Sequence, residues 1–578
     1  MIGSPRSRPW RPTKGPVEGP LHLDGVRKRA IDTGRSRLIV TGALFLLAFS
    51  VIAGRMVDVT ILHETAAPHA RQAASTDDAA TRADIVDRNG VLLATTLEAP
   101  SLFAVPKLVK DPERVAERLA SILPDIEESE VAAKLASDKS FVWIKRQLTP
   151  SQAIEVNRLG IPGLQFQPEG RRVYPEGNLL SHVVGYVDVD GKGLGGMERG
   201  FDEILRDGEE AVELSVDARI QYILRDEIAR AVARFSAAGG MGIVMDVNTG
   251  EVLAMASLPD FDPNQPVDAD SDAARNQATL GVYEMGSTFK IFNTALALET
   301  RTATLASSYD ATKPLQIGRF TIHDDHAQRR WLTVSEIFEY SSNIGSARMV
   351  LEVGIDRQKD FLGRLGLLKT PNFELPELGA PLVPAPWREV NSMTIAFGHG
   401  ISVSPLQMAT AVSAVVNGGV LHHPTLIKRP AGYAPAGQQV LSARTSEDLR
   451  RLLRLVVEHG TGKLANAPGY LVGGKTGTAE KVSGKHYDRR ELLSSFIGVF
   501  PITAPRYLVM ISVNQPHGNK ESAGFATGGW VAAPSVARVI ERMAPLLGIQ
   551  PVDEDSPEIR RSLLVDSLSP QGRKLAAN

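Results

Sequence analysis

The sequence predicts an α+β fold for its C-terminal half, mounted behind a separate module and a short apolar run near the N-terminus. Three observations carry this. Strand-like runs open and close residues 236–548 with helical segments between them, the order expected when one sheet joins both ends of a domain. Residues 38–54 contain no charged side chain and follow a basic tail. The chain has 578 residues, 43% hydrophobic and 22% charged, enough for about three or four compact units with large cores. A formal net charge of -2 leaves no footprint of a nucleic-acid binder. With no cysteine, disulfides, Cys-ligated metals and thiol catalysis are excluded.

Residues 1–37 are rich in Pro, Gly and Arg, lack apolar periodicity, and read as a basic tail on the cytoplasmic side. Residues 38–57 read as a transmembrane anchor. The apolar run is at the short end of the roughly 17–25 residues that span a bilayer, and Arg55 can snorkel to the interface. A cleaved signal peptide competes, because Val51-Ile52-Ala53 resembles a small-residue cleavage site. The long basic region and long apolar run favour the uncleaved anchor. Everything after it then lies outside the cytoplasm.

Residues 58–235 carry no reaction centre. Asp87-Arg88-Asn89-Gly90 sits between two strand-like runs and reads as a hairpin turn. Residues 107–160 alternate charged and apolar positions at helical spacing, and a Gly-rich stretch follows. His182 has no second ligand at metal spacing and reads as a structural histidine. The segment reads as a support or pedestal module, and the amphipathic helix over 218–235 leads from it into the next domain.

Residues 236–548 hold the chemistry. Met241–Val247 and Glu251–Ala256 flank Asn248-Thr249-Gly250 as an antiparallel hairpin, and residues 471–479, 496–500 and 507–513 read as three further strands. Gly286-Ser287 enters an apolar helical run, so Lys290 lies one turn above Ser287. A serine hydroxyl needs a base, and a desolvated lysine can serve. Ser341-Ser342-Asn343 follows after 54 positions, in a loop between helices. Lys475-Thr476-Gly477-Thr478 follows Ser341 by 134 positions in a strand, where alternation sends Lys475 and Gly477 to one face and the threonines to the other. Each grouping is weak alone. In this order, on these elements, the three form the Ser-x-x-Lys, Ser-x-Asn and Lys-Thr-Gly set of serine acyltransferases. Residues 549–578 read as a polar, loose tail.

From Arg82 onward the chain resembles a class B penicillin-binding protein. Further blocks carry the likeness: Tyr174-Pro175, His182 with Gly185-Tyr186-Val187, Gly193 with Gly196 and Glu198, and the run from Gly400 to Gln407. Asn343 resembles the division-specific (FtsI) group, where the elongation group carries Asp. His399 departs from the aromatic residue that the family often has before the glycine. The resemblance implies a penicillin-binding/β-lactamase-like transpeptidase domain, an antiparallel sheet with helices, on the pedestal. It implies a peptidoglycan D,D-transpeptidase of the inner membrane, with β-lactams as covalent inhibitors and no cofactor or metal. In that scheme Ser287 attacks a D-Ala-D-Ala carbonyl, Lys290 deprotonates it, Ser341 relays the proton and Asn343 holds the substrate amide. Lys475, Thr476, Gly477 and Thr478 receive the terminal carboxylate, and the backbone N–H groups of Ser287 and Thr478 hold the oxyanion. An FtsW-type glycosyltransferase and other division proteins are the implied partners.

Three rivals stand beside this reading. A β-lactamase or D,D-carboxypeptidase would need a water-activating group, and no glutamate block for that is evident. A membrane receptor or scaffold that binds β-lactams would keep Ser287 but would carry more spans or a signalling domain. A bifunctional enzyme would need an acidic glycosyltransferase block, which residues 58–235 lack.

Overall fold

The computed structural model describes residues 42–53, 82–318, 320–483 and 486–565, with side chains left out at 482–490. The chain divides into a unit of residues 1–78 and a unit of residues 79–578. In the first, residues 42–53 form a helix whose side chains are exposed. The remainder of the expected tail and anchor lies outside the described residues. Among the described residues no helix is long and apolar enough to cross a membrane.

The second unit begins with a five-stranded sheet of β1 (Ile85–Val86), β2 (Leu92–Ala104), β3 (Val142–Lys145), β4 (Leu164–Val173) and β5 (Val212–Glu213). Its order is β3-β2-β1-β5, with β4 on the other edge of β2. The Asn-Gly turn sits where the spacing predicts it: Gly90 has φ +83° and Asp87 Oδ1 accepts the N–H groups of Asn89 and Val91. Helices α1 (Pro112–Ile122), α2 (Glu128–Leu135) and α3 (Pro150–Arg158) cover one face. Leu102, Leu119, Leu135, Ile144 and Val156 are buried between them. A buried ion cluster ties the strands to the Gly-rich stretch: Glu198 accepts Arg172 Nε at 2.7 Å and Arg82 Nε on its other oxygen, and Asp202 takes Arg82 Nη1 at 2.8 Å.

The catalytic sheet joins both ends of its sequence, as expected. Its strands are β6 (Gly239–Asp246), β7 (Val252–Leu258), β8 (Gly473–Ser483), β9 (His486–Phe500) and β10 (Tyr507–Asn514), in the order β8-β9-β10-β6-β7. All neighbours pair antiparallel. Both faces are covered. Val244, Val509 and Ile511 pack toward α4 (Ala218–Arg234) and the helix over Ala533–Met543, while Met241, Ile243, Leu508 and Met510 pack toward the nucleophile's helix and its neighbours. The alternation along β6 is the period-2 pleat of a strand buried on both sides.

Two expected boundaries look different in the structure. Helix α4 is more than a lead-in: Ile220, Leu224, Ile228 and Ala231 bury against the catalytic sheet, and the main core runs unbroken from Ala83 and Ile85 through Met245. The segment after residue 549 is not loose through 565. It forms a helix over Pro557–Leu563 whose Ile559 and Leu563 pack on the core, and Val565 is buried. Glu554 accepts Arg454 Nη2 at 2.7 Å. Sparse apolar residues at helical spacing, not overall polarity, decide that docking.

Candidate active site

The site assembles where three segments meet: the turn before α5 (Lys290–Glu299), the loop between α6 (Val334–Glu339) and α7 (Asn343–Val353), and strand β8. Residues Gly286–Phe289 form one 3₁₀ turn feeding α5. Gly286 has φ +52°, and a Cβ there would lie 2.5 Å from the Thr478 carbonyl oxygen. Only glycine tolerates both conditions. Gly477 meets the same turn from the strand, since its Cβ would lie 2.7 Å from Met285 O. The glycines therefore let β8 lie directly against the nucleophile turn.

Lys290 is fully buried, and its Nζ donates to Ser287 Oγ at 2.7 Å, Ser341 Oγ at 3.1 Å and Asn343 Oδ1 at 2.7 Å. Burial pulls its pKa from 10.5 down to about 7, against the opposing charges of Asp325 and Asp324. Desolvation disfavours an ammonium, so near neutral pH much of Lys290 carries a lone pair. Lys475 is also fully buried, donates to Ser341 Oγ at 3.0 Å, and is pushed far below the usual lysine range by burial and by Lys290. Phe338 and Phe397 line the two amines, each ring centroid 6.0 Å from Lys475 Nζ and Lys290 Nζ respectively.

Ser341 adopts φ +60°, a left-handed conformation that L side chains rarely take and that costs on the order of 1–3 kcal/mol. Its neighbours over-determine it. Ser342 N–H donates to Ile337 O at 2.9 Å, and Ser342 Oγ caps α7 by accepting Gly345 N–H at 3.0 Å. Asp324 accepts Ser342 Oγ–H at 2.7 Å on one oxygen and Ile344 N–H at 2.9 Å on the other. Asn343 donates its amide to His323 O at 3.0 Å, which turns Oδ1 toward Lys290.

The strand alternation holds. Lys475 reaches Ser341 and Gly477 faces the nucleophile turn. Thr476 Oγ1 lies 2.7 Å from Thr461 Oγ1, and Thr478 Oγ1 accepts Gly528 N–H at 3.1 Å. The structure thus brings Ser287, Lys290, Ser341, Asn343 and Lys475 into one hydrogen-bonded cluster, with Thr476 and Thr478 anchored at its edge. Sequence reasoning missed Asp324, Thr461 and Gly528, each far from the motifs in sequence. The Asp324-Asp325 pair ahead of the Ser-Ser-Asn loop was the one visible cue.

The cluster sets a buried amine lone pair against the hydroxyl proton of half-buried Ser287 and supplies a second buried amine on the far side of Ser341. That is the equipment of acyl transfer through a serine ester. Residues 240–541 match the family described as the penicillin-binding protein transpeptidase domain, and residues 77–231 match the penicillin-binding protein dimerisation domain. The chain is 42% identical over 482 residues to a probable peptidoglycan D,D-transpeptidase FtsI of Caulobacter vibrioides, covering 81% of this chain and 82% of that one. It is 35% identical over 507 residues to a probable peptidoglycan D,D-transpeptidase PenA of Neisseria meningitidis, covering 82% and 85%. Its structure is similar to that of penicillin-binding protein 3 from Mycobacterium tuberculosis complexed with ampicillin, with a TM-score of 0.66 and 26% identity over 83% of this chain and 98% of that one.

Proposed function

The chain belongs to the class B penicillin-binding proteins, those with a dimerisation domain ahead of a transpeptidase domain, and from that premise we propose that it cross-links peptidoglycan stem peptides at the division septum as a serine D,D-transpeptidase. The observation that carries this is Lys290 Nζ, fully buried and 2.7 Å from Ser287 Oγ, with a pKa near 7. Lys290 takes the Ser287 proton as Oγ bonds to the penultimate D-Ala carbonyl carbon. The peptide C–N bond then breaks, and the leaving D-Ala amine receives a proton through Ser341, which both lysines touch. The oxyanion rests on the backbone N–H groups of Ser287 and Thr478, beside the positive end of α5. Asn343 holds the donor amide. Lys475, Thr476 and Thr478 receive the terminal carboxylate, whose charge restores the ammonium form of Lys475. An amine of a second stem peptide resolves the ester.

Residues 58–235 serve as the pedestal, 236–548 as the transpeptidase domain and 38–57 as a single-pass inner-membrane anchor that leaves the catalytic part in the periplasm. The partners are stem peptides, a glycosyltransferase of the FtsW type and other division proteins. β-Lactams acylate Ser287 in place of the donor. Fluorescent penicillin tests this: covalent labelling of the wild-type chain with loss in Ser287→Ala is expected, and undiminished labelling of that variant would sink the assignment. Adducts that turn over within seconds would instead mark a hydrolase.

A further inference from the structure

Strand β8 carries two threonines beside the nucleophile turn, and each hydroxyl has a neighbour outside the strand. Thr478 Oγ1 accepts Gly528 N–H at 3.1 Å. A backbone N–H can only donate, so the polarity of that bond is fixed and the Thr478 hydrogen is left for another acceptor. Thr476 is 8% exposed. Its Oγ1 lies 2.7 Å from Thr461 Oγ1 and a long 3.5 Å from Lys475 Nζ, which reaches Ser341 at the shorter 3.0 Å. Thr461 is half-buried in the turn that follows the helix over Ala443–Glu458, and close packing holds that turn in place. Gly462 N–H donates to Val456 O at 3.1 Å. A Cβ on Gly460 would lie 2.8 Å from Glu339 O, in the segment that leads to Ser341. One on Gly529 would lie 2.6 Å from Thr461 O. The turn is therefore wedged between the Ser341 loop and the same Gly528-Gly529 segment that supplies a donor to Thr478.

We propose that Thr461 is a positioning residue for the donor's terminal carboxylate: its hydroxyl donates to Thr476 Oγ1 and so aims the Thr476 hydrogen at the substrate. The inference rests on the transpeptidase reading and names a specificity determinant of its donor pocket. Between two hydroxyls either can donate, and the free protein leaves that choice open. A hydroxyl has one hydrogen and two lone pairs, whereas a carboxylate only accepts. Once Thr476 gives its hydrogen to the carboxylate, the 2.7 Å contact survives as a hydrogen bond only with Thr461 as the donor. The relay then has a single direction, from Thr461 to Thr476 to the carboxylate. A hydroxyl that accepts a hydrogen bond is polarised into a better donor, and the gain is larger toward a charged acceptor than toward a neutral one. Thr461 thus does for Thr476 what Gly528 N–H does for Thr478. Both threonines have a lone pair occupied from outside the strand, so both hydrogens are free to meet the same anion.

The experiment uses the full-length detergent-solubilised chain and two thioester donors, one ending in a free carboxylate and one in a carboxamide. It reads kcat and KM for each with D-alanine as the acceptor amine, and the ratio of the two kcat/KM values gives the preference for the carboxylate. Thr461→Val keeps the shape and loses the hydroxyl. It is expected to lower that preference about tenfold, mostly through KM, with the carboxamide donor changed less than about twofold. Thr461→Ala carries the same expectation and guards against a packing failure of the valine. Thr461→Ser restores the preference to within about threefold of wild type. In a Thr476→Val background, Thr461→Val is expected to change nothing further, because the relay has lost its second member. The proposal is overturned by an unchanged preference in Thr461→Val, or by an equal loss with both donors in the Val and Ala variants alike. A serine that does not restore the preference, or a further loss on top of Thr476→Val, overturns it too. A wild-type chain that penicillin does not label, or that uses both donors equally, overturns the transpeptidase reading beneath it, which is a separate and recognisable result.

Discussion

Lys290 and Lys475 place their side-chain nitrogens on the same hydroxyl, Ser341 Oγ, at 3.1 and 3.0 Å. Two ammonium groups sharing one acceptor inside a buried site repel each other, and both are pulled below the ordinary lysine range by burial. The arrangement favours states with one proton between them. Ser341 Oγ bridges the two nitrogens, the geometry that the proposed proton relay uses. Its left-handed backbone keeps the hydroxyl between the amines.

Penicillin acylation should therefore rise with pH through the neutral range. The reactive form has neutral Lys290, whose pKa is about 7. Below that value the second-order acylation rate is expected to fall about tenfold per pH unit, and above it to level off. Stopped-flow acylation across pH 5.5–9 measures the limb. Lys290→Arg, always charged, should lose the activity by about a thousandfold or more and with it the limb. A flat profile in the wild type would refute Lys290 as the base.

Burial of Lys290 costs stability, with a definite pH dependence. Its folded pKa of about 7 lies below the unfolded value of 10.5, so the unfolded chain binds more protons between those limits and stability rises with pH there. Below about pH 7 the penalty is complete, roughly 5 kcal/mol at 1.36 kcal/mol per pKa unit, partly offset by the hydrogen bonds to Ser287 and Asn343. Lys290→Met should melt a few °C above wild type at pH 6, and the gap should close toward pH 10 in thermal scans. A gap that widens with pH would contradict the sign.

The α+β class, the two-ended sheet and the cluster of Ser287, Lys290, Ser341, Asn343 and Lys475 were legible because each rests on local patterning: period-2 alternation, a glycine entering a helix, and three motifs on known elements. Asp324 was not legible. Its carboxylate acts on Ser342 and Ile344, about 20 positions away, through a loop whose path no periodicity encodes. The docking of residues 549–565 was lost for a related reason, since three apolar side chains in a polar stretch carry it. His399 was visible as a departure, but its partner Glu284 lies 115 positions away.

Asp324 should prove a positioning residue. Asp324→Ala removes acceptors from both Ser342 and Ile344 and frees the strained Ser341 turn, a loss of about 1–3 kcal/mol. The melting temperature should drop and acylation should slow by tenfold or more. Asp324 also raises the Lys290 pKa, so Asp324→Asn, which keeps the shape, should move the acid limb to lower pH. A merely structural role would leave that limb in place.

Gly477→Ala tests whether close approach of β8 to the nucleophile turn is needed for catalysis. The added Cβ would lie 2.7 Å from Met285 O and 3.0 Å from Thr288 Cγ2. Backbone cannot swing aside as a flexible side chain does, so either the strand or the turn must shift by several tenths of an ångström. The strand is held along its length by β9, register intact from Gly473 to Glu480, while the turn is one 3₁₀ loop. The turn should give, carrying Ser287 away from the Thr478 N–H and from Lys290. Overpacking of this kind costs about 1–3 kcal/mol of stability, which a chain of this size survives folded. Misplacing the nucleophile by even a fraction of an ångström costs far more in rate, because oxyanion and proton-transfer distances are both set there. The expected outcome is acylation slowed by about a hundredfold with a melting shift of only a few °C. Equal acylation in variant and wild type would mean that the turn and strand are not coupled in the way the glycines suggest.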